Sequence, residues 1–504
     1  MAVARSELTA TRTKLFYGSG SIAFGIKDNG FQTILLLFYN QVIGLPSQLV
    51  GAAIMLALMI DAFLDPIVGQ ISDNLHSRWG RRHPFMYASA LPVAISYLLL
   101  WNPPHWSQGA MFFYLVAVAV VVRTFITFYE IPSAALAPEL TDDYDQRTSF
   151  LSYRIFFAWY GGLTMLTLAY LVFLTPDATH KVGQLNEAGY SRYGFTAAAI
   201  MFVAILVSAA GTHKFIPHFR AAPVRKISIP QYGREMIATF RNKAFLILMA
   251  ASLLFNLATG LVFALNIYLQ TYFWELTHTE ISILTLSTFI AVFLAFMMAL
   301  PLSRRLGKKR GAILLFTVGL VIASMPLGLR LIGFFPPNGA ASLVPVLFIF
   351  AAIGPAMTIA SSILLISMLA DVVEDSELKT GRRSEGLFFA GASFLQKAVS
   401  GLGLFASGLV LWMVHFPAHA TPGQVDPQIV RNLALVYLPA LFLLYGAALA
   451  IISRFPITRE HHEENLRRLA GEAALAAAPV ATEIEMAAMP AVTTAHPGTA
   501  DGVL

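Results

Sequence analysis

The chain has 504 residues, of which 57% are hydrophobic and 12% charged, with a formal net charge of +6 and no cysteine. A soluble domain carries about 25% charged residues, so a soluble fold is excluded, and the lack of cysteine excludes disulfides and thiolate metal sites. The basic residues gather in loops between apolar runs of roughly 20 residues, the length that crosses a bilayer, which is membrane topology and not nucleic-acid binding.

Twelve spans are predicted, at 15–43, 47–73, 84–102, 108–136, 149–174, 194–216, 244–274, 280–302, 311–333, 342–370, 387–415 and 430–454. Span 1 carries the adjacent pair Lys27 and Asp28 and is too long for the apolar region of a cleavable leader. The two point about 100° apart around a helix, and Asp28 is expected to face inward. Span 2 carries Asp61 and Asp65, a spacing that puts both carboxylates on one face, about one turn apart. Span 2 ends in a basic turn with Arg78, Arg81 and Arg82. In span 4, Arg123, Thr127 and Glu130 share a face at i, i+4 and i+7. Span 5 carries Arg154, and span 11 carries Ser393 and Lys397. Beyond Pro456 a short charged stretch leads into Ala/Thr/Pro-rich sequence, expected to be disordered.

The spans therefore hold four acids (Asp28, Asp61, Asp65, Glu130) and four bases (Lys27, Arg123, Arg154, Lys397). An unpaired charge in hydrocarbon costs several kcal/mol, so a balanced set implies an internal network. The plainer reading is a set of inert ion pairs joining helices. The functional one gives Asp61 and Asp65 to a cation, because two carboxylates one turn apart need a cation, a basic partner or a proton. Lys27, Arg123 and Lys397 then complete the charge network.

The same count fixes topology. Segments on the side of the N-terminus hold 26 of the 34 Lys and Arg residues, and those on the other side hold four (Lys181, Arg192, Arg330, Arg431), which predicts both termini to be cytoplasmic. The turn SRWGRRHP after span 2 recurs as SRRLGKKRG after span 8, and APELTDDYDQRTS after span 4 recurs as ADVVEDSELKTGRRSE after span 10. Both recurrences fall six spans apart. The expected architecture is all-α, with an N-terminal six-helix bundle (1–216), a basic linker (217–243), a C-terminal six-helix bundle (244–454) and a tail (455–504). Such repeats belong to transporters with a central site between the halves. Asp73 with Arg78, and Asp371 with Arg382, are expected to pair at the cytoplasmic mouth as gating residues, with Arg81 and Arg82 beside them. No GxxxxGK[ST], HExxH or GxSxG motif occurs, so no P-loop pump or hydrolase is expected.

DAFLDPIVG with SRWGRRHPF, the Lys27–Asp28 pair, and ADVVEDSELKTGRRSEG before span 11 resemble the glycoside–pentoside–hexuronide:cation symporter family, the melibiose-permease branch of the major facilitator superfamily. The resemblance covers about residues 15–455. It implies the major facilitator fold, no enzymatic activity and no cofactor beyond a coupling ion, H⁺ or Na⁺. It assigns Asp61, Asp65 and Thr127 to the ion, and places Lys397 near them. It assigns Asp28, Glu130 and Arg154 to the sugar, and Ser393 is counted with them. The sequence departs from the family at Leu64, often polar in sodium users, at Glu130 in place of an aspartate, and at Ala134 in place of a sugar-stacking tryptophan. Leu64 favours H⁺ over Na⁺. The expected partners are a small solute, the cation and membrane lipid, and the expected state is a monomer in an inner or plasma membrane. The alternatives are a lysolipid or other amphiphile transporter on the same fold, and a non-transporting sensor.

Overall fold

The computed structural model describes residues 9–141, 143–177, 181–218, 243–380 and 385–456. The linker 219–242, Arg382 and the tail 457–504 lie outside the described residues, and Asp371 and Ser393 are described only as backbone. Helix α1 occupies 11–42 in consecutive pieces, followed by α2 (Ser47–Asn74), α3 (His83–Leu100), α4 (Gln108–Ala134), α5 (Tyr144–Leu168) and α6 (Glu187–His213). The second set is α7 (Lys243–Tyr268), α8 (His278–Leu306), α9 (Lys308–Leu331), α10 (Leu343–Thr380), α11 (Glu385–Met413) and α12 (Pro427–Ile452). Among the described residues, eleven helices are long and apolar enough to cross a membrane, and the interrupted α1 is the twelfth. In lipid every backbone polar group must be bonded internally, which is why long apolar runs close into helices.

The repeat seen in the sequence is a repeat of packing. α1 lies on α5 and α7 on α11, α2 on α4 and α8 on α10, α3 on α6 and α9 on α12. Two six-helix bundles result, meeting along α2 and α11 and, more lightly, α5 and α8. The α2–α11 seam is made of small residues. A Cβ added at Gly51 would stand 3.0 Å from the Phe405 Cα, and one at Gly401 would stand 3.1 Å from the Met55 Cα. Close backbone approach through small residues drives helix association where lipid removes the hydrophobic incentive.

The bundles are joined asymmetrically. One core cluster runs from Tyr17 and Tyr97 in the first bundle through Tyr268, Phe416 and Tyr437 in the second. Two smaller clusters, around Phe245 and Val372 and around Leu315 and Leu364, belong to the second bundle alone and lie towards its basic-loop end. The bundles thus share a core at the end away from the basic loops.

Two features differ from the sequence reading. α10 was expected to end near 370 but continues to Thr380 through Asp371–Leu378. Acids alone do not stop a helix, and no Pro or Gly intervenes before Gly381. π-helical turns interrupt or end helices at Gly30–Ile34, Phe38–Val42, Ala169–Phe173 and Leu269–Phe273. These one-residue insertions leave no periodicity signal and are common at functional sites.

Candidate functional site

Asp61 and Asp65 lie on one face of α2, as their spacing requires, and α4 and α11 close on them. Thr127 Oγ1 is 2.9 Å from Asp61 Oδ1 and 3.1 Å from Asp65 Oδ1, so its single proton serves either carboxylate. The Arg123 guanidinium donates to Asp61 Oδ2 at 2.7 Å. Lys397 Nζ stands 3.3 Å from the same oxygen and donates to Asp65 Oδ2 in a very short contact. Both Oδ2 atoms of the pair have basic donors, the two Oδ1 atoms share the Thr127 proton, and two carboxylates meet two cations. The α2–α11 glycine seam brings Lys397 this far across from the second bundle. Asp61 is 3% exposed while Asp65 and Lys397 are 18% and 24% exposed, so Asp65 and Lys397 form the accessible side of the cluster.

The second group lies on α1, α4 and α5. Arg154 donates to Ser133 Oγ at 2.5 Å and to the Glu130 carbonyl at 3.2 Å, and its guanidinium is 3.6 Å from Glu130 Oε1. Glu130 is left with its carboxylate only loosely held. Asp28 is 37% exposed midway along α1 and accepts from Gln32 Nε2 at 2.7 Å. Its neighbour Lys27 is buried, 3.5 Å from Asp28 and 4.2 Å from the centre of the Phe24 ring. Asp28 is therefore the accessible member of the pair, and Lys27 is packed within the bundle. The eight intramembrane charges thus fall into three contact clusters: Asp61, Asp65, Arg123 and Lys397; Glu130 with Arg154; and Lys27 with Asp28.

The basic turn after α2 is bound within the first bundle. Arg82 pairs with Asp73 at 2.5 Å and with Glu139 at 3.2 Å, and donates to Ser72 Oγ at 2.7 Å. Arg81 pairs with Glu139 at 2.8 Å. The expected partner of Asp73, Arg78, instead lies 5.9 Å from the ring of Trp79. The correction has a geometric cause: Arg78 precedes a turn at Gly80 (φ 72°), which carries Arg81 and Arg82 back towards the helix ends. Glu139 and Ser72 were not singled out from sequence, although Glu139 belongs to the repeated loop motif.

Sequence reasoning also missed a polar seam at the opposite end. Gln41, on the last π turn of α1, is 2% exposed. Its Nε2 donates to the Pro417 carbonyl at 3.0 Å, and its Oε1 accepts from the Ala420 amide at 2.8 Å and the Tyr272 hydroxyl at 3.2 Å. Tyr268 donates to Asn40 Oδ1 at 2.9 Å, and Ser47 to the Gly408 carbonyl at 3.0 Å. Gln184 donates to the Leu276 carbonyl at 3.2 Å. All these bonds cross between the bundles. His278 and Ser282 on α8 reach the Tyr170 and Thr167 carbonyls at 3.1 and 3.2 Å, His419 reaches the Gln41 carbonyl at 3.1 Å, and Lys397 ties the aspartate pair to the second bundle.

Comparison with known proteins agrees with this architecture. A family model described as "MFS/sugar transport protein" matches residues 16–459. An uncharacterised symporter of Synechocystis is 28% identical over 91% of this chain and 96% of its own length. The isoprimeverose transporter of Lactiplantibacillus pentosus is 25% identical over 82% of this chain and 83% of its own length. The xylose transporter XylE of E. coli, in a partially occluded inward-open conformation, superposes with a TM-score of 0.56 at 14% identity, over 88% of this chain and 99% of the other.

Proposed function

The chain belongs to the MFS/sugar transport protein family, a family of membrane symporters and not of enzymes, and from that premise we propose that it moves a glycoside or similar small sugar together with a cation by alternating access. The observation that carries the reading is the carboxylate pair held by Arg123, Lys397 and Thr127 within the bundle, with Glu130, Arg154 and the accessible Asp28 as a second charged group. Carboxylate and guanidinium groups make paired, charge-assisted hydrogen bonds to hydroxyls. Asp28, Glu130 and Arg154 are the solute residues, and Asp61 and Asp65 with Thr127 are the cation residues. Glu130 lies one turn along α4 from Thr127, so the two groups share a helix through which the two occupancies are linked.

The coupling ion is a proton. Lys397 and Arg123 already hold the pair, and Leu64 offers no side-chain oxygen for a sodium shell. A proton on Asp65 releases Lys397 without requiring a shell of ligands. Reading the basic-loop side as the cytoplasm, the Gln41 seam closes the outside and the conformation is inward-facing. A symmetric cytoplasmic closure would then involve the α10–α11 turn with Asp371 and Arg382.

A second reading, transport of an amphiphile, draws on two features of the sequence. Lys397 is the one intramembrane charge of the second bundle, and Ala134 leaves no aromatic platform on α4. The two are separated by a thermal-shift screen of glycosides and lysolipids on the wild type and Asp28→Asn. Stabilisation by a glycoside that disappears in Asp28→Asn supports the sugar reading. Stabilisation by lysolipid alone, unchanged in Asp28→Asn, would reject it.

A further inference from the structure

The outer wall of the first bundle carries a feature that solute transport leaves unused. α3 and α6 hold none of the eight intramembrane charges, yet a groove of about 530 Å³ lies between their basic-loop ends. Its mouth is made of Trp79, Tyr87 and His213, and its depth of Leu91, Phe202 and Leu206.

The mouth is built, not incidental. Trp79 stands edge-on to Tyr87 at 5.7 Å and to His213 at 6.2 Å. The Tyr87 hydroxyl is hydrogen-bonded to His213 Nδ1 at 3.3 Å. His83 packs against His213 at 5.6 Å and is anchored to the Thr212 hydroxyl at 3.0 Å. The rim is basic: Arg78 lies over Trp79, and Lys214 follows His213. Among the described residues, the groove lining includes no acid, and Asp73 and Glu139 pair with Arg82 and Arg81. From His213 to Phe202 the groove follows eleven residues of α6, about 16 Å of helix. One leaflet's hydrocarbon is about 15 Å deep, half of a typical core. Leu91 is 57% exposed along this depth.

We propose that this groove binds an anionic glycerophospholipid of the leaflet on the basic-loop side. The phosphate sits at the rim by Arg78 and His213, the glycerol region lies against Trp79 and Tyr87, and one acyl chain follows Leu91, Phe202 and Leu206. Aromatic rings at the interface with basic groups just outside are the chemistry that holds an anionic headgroup, and an apolar slot one leaflet deep matches a chain. A neutral headgroup leaves the rim uncompensated, and a soluble anion leaves the slot empty. The inference does not rest on the solute or ion assignment.

The test uses the full-length wild type and two probes. Phosphatidylglycerol bearing a photoreactive chain should crosslink peptides within 79–91 and 202–214. Native mass spectrometry from mixed phosphatidylglycerol and phosphatidylcholine should show selective retention of the former. Arg78→Gln should weaken retention roughly fivefold, which corresponds to about 1 kcal/mol for one basic group near an anionic surface. Leu91→Trp, which fills the slot, should abolish the preference. Glycerol 3-phosphate, having no chain, should not compete. Crosslinks spread over the outer faces of other helices, equal retention of the two lipids by the wild type, or competition by glycerol 3-phosphate would each overturn the proposal. The crosslinking result needs no variant, so a poorly folded mutant leaves the test intact.

Discussion

Gln41 is the keystone of the outer seam, and its removal has a predictable size. Gln41→Ala deletes three side-chain hydrogen bonds between the bundles, to Pro417, Ala420 and Tyr272, and leaves the backbone bond between its carbonyl and His419. A net intramolecular hydrogen bond contributes about 1 kcal/mol, and the Tyr272 proton is shared with the Ala420 carbonyl, so the closed end loses about 2–3 kcal/mol. At 1.4 kcal/mol per tenfold, the balance between inward- and outward-facing states should move by roughly 30- to 100-fold towards outward-facing. The chain has no cysteine, so spin labels can be placed without background. Gly109→Cys at the start of α4 and Gln428→Cys at the start of α12 put labels on the outer ends of opposite bundles. Both positions are exposed, and a side chain at 109 would meet nothing within 4 Å. The label-to-label distance should lengthen in a major population of Gln41→Ala. An unchanged distance distribution in a folded Gln41→Ala protein would refute the claim that this seam holds the outside shut.

Three further outcomes are expected. Asp28→Asn should remove solute-dependent thermal stabilisation while the protein folds and retains its response to the coupling ion; unchanged solute affinity would remove Asp28 from the site. Arg82→Ala strips its part-buried partner Glu139 of one of two arginines; Arg81 remains, so the loss read in a melting curve should stay below the roughly 3–5 kcal/mol expected for a buried charge left with no partner. The Asp73 arm, 53% exposed on its acid, should contribute little of that loss, so Asp73→Asn should melt close to the wild type. Lys397→Met should leave Asp65 without its basic partner and create a cation response in the melting temperature, NaCl against choline chloride, that the wild type lacks; equal melting in both salts would show that Lys397 does not compete with a cation.

The helices, their number and the inward set of charges were legible because each rests on local signals. Apolar run length marks a span, and a spacing of four puts Asp61 and Asp65 on one face whatever they pack against. Which base meets which acid is different in kind. The pairing of Arg123 with Asp61, and of Lys397 with both aspartates, depends on the rotation and approach of three helices, and the glycines that set that approach are scattered singly along α2 and α11. Arg78 is nearer to Asp73 in sequence, but the reversal at Gly80 delivers Arg82 instead. The outer seam was invisible for a third reason. Asn40, Gln41, Tyr268 and Tyr272 are uncharged, and they act through loop carbonyls and amides that any sequence would supply. The π turns that aim them carry no compositional mark.

The central claim is that solute movement is coupled to a proton through the aspartate pair on α2. It is tested most directly in sealed vesicles containing the purified protein, by following accumulation of a radiolabelled glycoside that stabilises it. An imposed pH gradient without sodium should drive accumulation in the wild type, and Asp65→Asn should abolish that accumulation while leaving exchange of solute down its own gradient. Accumulation driven by a sodium gradient at fixed pH and not by the pH gradient, or full pH-driven accumulation in Asp65→Asn, would contradict it.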